Sequence, residues 1–182
     1  MLLAGSDSGF EFLGYVVDLL AGEMYDSLKN TSKIAQLEYE VLQTLLLHYS
    51  RAEPTERAGH LVKFSGLPGG QAYEQAFLRR AVQPVAEAFG QKPQMLVDCV
   101  KVLCGVAKDY GDSAAEIFGL PQIPLVIILW KESQFPAEAN ILFDDSASRY
   151  LPTEDLAVLG ELGGVSADRS SEPSLLIKLA IK

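Results

Sequence analysis

The chain has 182 residues, 48% of them hydrophobic and 21% charged, with a formal net charge of −9. That length suits one domain burying roughly 70% of its unfolded surface, and the apolar content argues against disorder. The negative charge argues against nonspecific binding to nucleic acid or an anionic membrane, since both need a basic surface.

The start, Met1 to Phe12, has no basic region and a short apolar opening, so it reads as no signal peptide. Phe10–Leu13 and Tyr15–Leu19, either side of Gly14, read as a hairpin or as one strand bent at the glycine. Gly22 and the polar patch Asp26–Asn30 punctuate the chain. From Ile34 to Tyr49, Ile34, Leu37, Val41, Leu42, Leu45, Leu46 and Tyr49 fall at helical spacing, with Thr31 or Ser32 as the N-cap. Arg51–Ala58 reads as a charged loop, and His60–Phe64 alternates like a half-exposed strand.

Gly66–Gly70 leads into a second helix, where Tyr73, Ala76, Phe77, Ala81, Val85 and Phe89 share a face. Pro84 lies inside it and predicts a kink or break, because it lacks the N–H and crowds the preceding turn. A third helix is predicted over Pro93–Cys104, with Gly105 as its stop. Across Asp109–Gly119, Ser113 to Glu116 matches a helix capping box. A strand from Glu116 hairpinning through Gly119–Pro121 is the preferred reading there.

The chain is organised around Pro121–Asp155. Leu125–Trp130 is a short apolar run bounded by prolines and polar residues, the pattern of a strand buried on both faces. It is far too short to span a membrane, which takes about 20 apolar residues. Asn140–Phe143 reads as its antiparallel neighbour or as a single helical turn. Asp144-Asp145-Ser146 reads as a turn, and Thr153 as the N-cap of a helix over Glu154–Leu162. Gly163–Pro173 is loop-like, and Ser174–Lys182 is either a final strand or a frayed end. Residues 1–182 thus make one domain, with 163–182 as an extra strand or flexible tail.

Candidate sites are few. Cys99 and Cys104 would lie about 140° apart on a helix, too divergent for a disulfide or shared metal, and read as buried reduced thiols of a cytoplasmic protein. Asp144, Asp145, Glu154 and Asp155, with Asp112 or Glu138, carry the oxygens a hard cation needs, but turn and cap roles account for them and no metal is expected. Arg79 and Arg80 offer guanidinium geometry for a phosphate or carboxylate. His48 is a base or ligand candidate beside Tyr49, more simply read as a structural group or helix-dipole partner. His60 reads as exposed. Gly66–Gly70 lacks the lysine of a phosphate loop and reads as a turn. Ser65, Ser113 and Ser146 sit in no nucleophile elbow. Trp130, Phe135 and Tyr150 read as core residues, or as the lining of a pocket.

Several segments together resemble the bacterial family named domain of unknown function 3786, found mostly in anaerobes. They are Leu45-Leu-Leu-His-Tyr49, Gly69-Gly-Gln-Ala-Tyr73, Phe77-Leu-Arg-Arg80, Gly111-Asp112, Pro121–Trp130, Phe135-Pro-Ala137, Ile141–Asp144 and Tyr150–Asp155. The resemblance runs in order over about residues 10–162. Some members carry an N-terminal four-cysteine iron–sulfur module of the kind seen in corrinoid proteins of one-carbon metabolism. This chain lacks those cysteines, and its Lys131–Gln134 is less acidic than the family's stretch there.

The expected fold is α+β: a small, mostly antiparallel sheet centred on Leu125–Trp130, packed against three or four helices. The expected role is a binding or accessory protein, which the resemblance ties to anaerobic cofactor or one-carbon metabolism. Its ligand site would draw on Arg79, Arg80, Asp112, Trp130, Asp144, Tyr150 and Glu154. An enzyme using Asp112, Asp144 or Glu154 as acid–base or metal-ligand groups is the first alternative. A protein-interaction module, with Leu175–Ile181 as docking strand or dimer edge, is the second. No cofactor follows from the residues. The partner is a small molecule or a protein, with a homodimer admitted and neither nucleic acid nor membrane expected.

Overall fold

The apolar run does become the centre of the larger sheet. The computed structural model describes residues 9–169. In it β7 (Ile123–Trp130) lies third in a five-stranded antiparallel sheet. The order is β4 (Leu61–Lys63), β8 (Glu138–Asp144), β7, β6 (Ser113–Leu120) and β5 (Val106–Lys108). Leu125, Ile127 and Leu129 join the main core, while Val126 and Ile128 form a smaller cluster with Ala114. Alternating side chains point to opposite faces, so β7 is covered on both sides, as its lack of polar alternation implies. Each buried aliphatic side chain of this kind contributes about 1.5–3 kcal/mol.

A second sheet stands apart. β1 (Gly9–Phe12), β2 (Tyr15–Asp18) and β3 (Glu23–Asp26) form an antiparallel meander. Leu13 and Gly14, both at positive φ, make the tight turn between β1 and β2, so the hairpin alternative holds. β3 is an addition to the sequence reading, which had only punctuation there. Phe10, Phe12, Tyr15, Val17 and Met24 bring this sheet into the main core.

The helices are α1 (Gln36–Ser50), α2 (Gly70–Phe77), α3 (Gln83–Phe89), α4 (Gln94–Lys101) and α5 (Thr153–Arg169). Between α2 and α3, Leu78–Val82 forms a π turn in which the Gln83 N–H reaches the Leu78 carbonyl. That widened turn is how the helix absorbs Pro84. The core face of α1 is Leu42, Leu45 and Tyr49, whereas Leu37 and, on α2, Tyr73 face solvent.

Several terminal assignments change. α1 begins after Ala35, and Thr31 instead closes a backbone bridge with Asp26 while its hydroxyl accepts the Lys33 N–H. The Thr153 hydroxyl donates to the Pro68 carbonyl at 2.6 Å, so it ties α5 to the loop before α2 rather than capping its own helix. α4 ends at Lys101, and the Gly105 N–H closes on the Val100 carbonyl. Cys104 is exposed, contrary to expectation, and only Cys99 is buried.

The largest correction is α5, which runs through Gly163 and Gly164 to Arg169 rather than stopping at Leu162. Loop-like composition misled because these glycines pack. A Cβ on Gly164 would lie 2.9 Å from the Ala81 carbonyl oxygen, and one on Gly160 would lie 2.6 Å from the Phe77 ring. Small residues here let α5 lie directly on the π turn. Residues 163–169 are therefore helix, and the predicted final strand Ser174–Lys182 lies outside the described residues.

Candidate functional site

The residues singled out from sequence fall into separate places. Trp130 pairs with Glu138 at one end of the β7–β8 ladder, while Asp144 pairs with Leu61 at the other. Glu138 and Asp144 stand six residue steps apart along β8, or about 20 Å. Arg79 sits near Glu138 in a shallow surface depression with Leu78, Val82 and Ala137. Asp112 is at the Trp130 end too, its carboxylate accepting the Lys131 N–H at 2.9 Å. Arg80 and Glu154 are exposed on their helices. Trp130 is 41% exposed and Phe135 74%, so neither is the core residue its type suggests.

Asp144 and Tyr150 belong to a second group that organises residues 51–59. The buried Asp144 carboxylate accepts the N–H groups of Ala58 at 2.9 Å, Gly59 at 2.8 Å and Ser146 at 3.0 Å, and also the Ser146 hydroxyl. Burial pushes its pKa up, but these hydrogen bonds outweigh burial and hold it below the usual carboxylate range. The Tyr150 hydroxyl accepts the Thr55 N–H at 2.8 Å and donates to the Thr55 carbonyl. Its ring lies 5.8 Å from that of Tyr49. Burial pushes the Tyr49 hydroxyl up to about 12.

His48 and Asp155, distant in sequence, meet at this group, with Nδ1 against the carboxylate. Asp155 fixes the ring, and Nε2 has no protein partner among the described residues. An imidazole held by a carboxylate can carry a proton. No group of three or more histidine, cysteine, aspartate or glutamate side chains able to hold a metal occurs among the described residues.

A further concavity lies elsewhere. A cleft of about 560 Å³ opens between the β2–β3 hairpin and α1. Val17, Met24, Tyr39 and Leu46 give it an apolar lining, and Leu19 and Leu47, each about half exposed, extend this surface outward. Asp18, Glu23 and Glu40 also line it, with no ion-pair partner among the described residues.

Local chemistry explains why leucines stand in solvent here. Asp18 Oδ1 accepts the N–H groups of Leu20 and Ala21, both at 2.9 Å, and the Gly22 N–H bonds the Asp18 carbonyl. Gly22, at φ 68°, completes the turn. This cap holds Leu19 and Leu20 at the tip, where Leu20 is 81% exposed. The outer edge of β3 is also only partly paired among the described residues. Asp26 exchanges both backbone bonds with Thr31 across it. Antiparallel alternation therefore places the Met24 N–H and C=O on that same edge.

Sequence reasoning missed this cleft because it missed β3. The available signal was Asp18 to Gly22, a turn between Tyr15-Val-Val-Asp18 and Glu23-Met-Tyr-Asp26.

Fold and site together define an α+β protein with an apolar surface cleft edged by carboxylates. Among the described residues no helix is long and apolar enough to cross a membrane. The chain belongs to the family described as Domain of unknown function (DUF3786), whose model matches residues 11–163. No curated protein and no solved structure matches it.

Proposed function

We propose that this chain is a non-catalytic binding protein whose α1/β2–β3 cleft holds an apolar, lysine- or arginine-bearing segment of a partner protein. One observation carries this reading: exposed leucines at the cleft adjoin three carboxylates that no cation of the described chain answers. Apolar surface rimmed by polar groups marks interaction sites, and complementary charge steers the encounter. The partner is best sought among proteins of anaerobic cofactor or one-carbon metabolism, to which the family resemblance points. Action in the cytoplasm is part of the same proposal.

The probe is a short synthetic peptide of alternating leucine and lysine, with a leucine–glutamate peptide as control. Fluorescence anisotropy should show saturable binding of the first alone, weakened by salt and lost in the Glu23→Lys/Glu40→Lys variant. Equal binding of both peptides, or no effect of charge reversal, overturns the reading.

A second reading has the His48–Asp155 contact in its favour. There the chain is an enzyme using His48 as the base, in place of the carboxylate roles considered for Asp112, Asp144 and Glu154. Asp144 has its oxygens committed to Ala58, Gly59 and Ser146, which suits a cap better than an acid–base group. A small-molecule site at Arg79 and Trp130 is tested by thermal-shift screening with corrinoids, folates and nucleotides. A shift abolished by Arg79→Ala supports that site over the cleft.

A further inference from the structure

We infer that His48 is a phosphoryl-acceptor site, taking a phosphoryl group from an acyl phosphate onto Nε2. His48 is not among the residues lining the cleft, and the site does not depend on a partner segment binding there.

The chemistry of the ring follows from its partner. Asp155 lies in the first turn of α5, largely buried, and its carboxylate meets His48 Nδ1. An ionised carboxylate only accepts hydrogen bonds, so Nδ1 carries the proton and Nε2 keeps its lone pair. Nε2 has no protein partner among the described residues, and the His48 side chain is 38% exposed. A neighbouring group that fixes a nucleophile and meets the charge it develops activates it in this way.

Arg51 supplies the counter-charge. It caps α1 three residues on, with its N–H bonding the His48 carbonyl at 3.1 Å. Side chains three apart share a helix face, about 5–6 Å from each other. Arg51 is exposed and has no ion-pair partner among the described residues. Its guanidinium is therefore available to grip two oxygens of a phosphoryl group on Nε2. A simple base would leave Arg51 nothing to bind, whereas a phosphoryl acceptor places an anion within its reach. Glu154, exposed in the first turn of α5, bears the opposing charge.

In the transfer, the Nε2 lone pair attacks phosphorus. The P–O bond to the acyl oxygen breaks, and the carboxylate leaves with that electron pair. Nδ1 keeps its proton, and Asp155 neutralises the positive ring that results.

The test incubates the full chain with acetyl phosphate and maps the product by mass spectrometry in alkali, where phosphohistidine survives. The expected adduct forms on His48 about tenfold faster than on His60, which is exposed but has no carboxylate partner among the described residues. Nitrogen–phosphorus NMR should place it on Nε2. Asp155 is a positioning residue, so Asp155→Asn should lower the His48 rate about tenfold and give a mixture of the two ring nitrogens. Arg51→Gln should slow the reaction and Arg51→Lys restore part of it, while Glu154→Gln should speed it. No adduct, equal rates at His48 and His60, or an Asp155→Asn variant with unchanged rate and nitrogen overturns the inference. Arg51 is in solvent, so its variants keep the test sharp if Asp155→Asn unfolds, and an unchanged rate in Arg51→Gln also overturns the site. Peptide binding at the cleft is read separately, so either proposal can fail alone.

Discussion

Replacing Arg169 by methionine removes the cation that joins α5 to the smaller sheet, and its cost follows from burial. Asp26 is 2% exposed and the Arg169 side chain 17%, with a nitrogen 2.6 Å from Oδ1. Deleting one partner of a buried pair costs about 3–5 kcal/mol, because the other charge stays desolvated. Among the described residues, Asp26 would keep the Lys29 N–H at 3.0 Å and the Lys29 ammonium at 3.7 Å, itself largely in solvent. That partial rescue puts the expected loss near the low end, about 3 kcal/mol. Methionine retains stem packing, so most of the loss reports on charge. Denaturant unfolding of the single variants, Asp26→Asn and the double should give a coupling of about 2 kcal/mol, well outside additivity. The melting temperature of Arg169→Met should fall by roughly 6–12 °C, at about 2–4 °C per kcal/mol for this size. A loss below about 1 kcal/mol, or additive single effects, would refute the buried-pair argument.

Asp144→Asn should cost about 1–3 kcal/mol and loosen residues 51–59, since an amide cannot accept from Ala58, Gly59 and Ser146 together. Faster proteolysis in that loop is the readout, and unchanged cleavage contradicts it. The same carboxylate stabilises the fold above its unfolded pKa, and this contribution is lost as pH falls through the depressed folded value. At the alkaline end, Tyr49 has the opposite sign of dependence. Its folded pKa is raised by burial to about 12, so stability is fully present below pH 10 and lost as pH rises toward 12. Tyr49→Phe should flatten that limb of the profile. Thiol labelling should show Cys104 reacting fast and Cys99 only on unfolding, because Cys99 is buried and its pKa is pushed up to about 11 by burial and then by Asp98 and Asp168. Two equally fast thiols would contradict this.

The parts of the fold legible in the sequence were those fixed by local pattern. Leu125–Trp130 had no polar alternation and became the central strand, whereas Gly14 fitted a hairpin or a bent strand equally until the positive φ of Leu13 and Gly14 showed the turn. What stayed hidden depends on tertiary contact. Gly160, Gly163 and Gly164 have poor helix propensity, and only the crowding of Phe77, Leu125 and Ala81 shows why glycine is tolerated there. Trp130 ends its strand beyond the covered region, so residue type alone overstated its burial. The candidate site residues came from motifs at opposite ends of β8, and sequence order carries no record of that separation. The cleft was hidden because β3 is four residues long, with one buried apolar residue, Met24.

Backbone amide exchange of the full chain, free and saturated with the leucine–lysine peptide, tests the central claim most directly. The cleft account predicts new protection at Val17, Met24 and Gln43–Leu47, with the Arg79 and Glu138 region unchanged. Protection confined to Arg79, Trp130 and Glu138, or none anywhere, would contradict it.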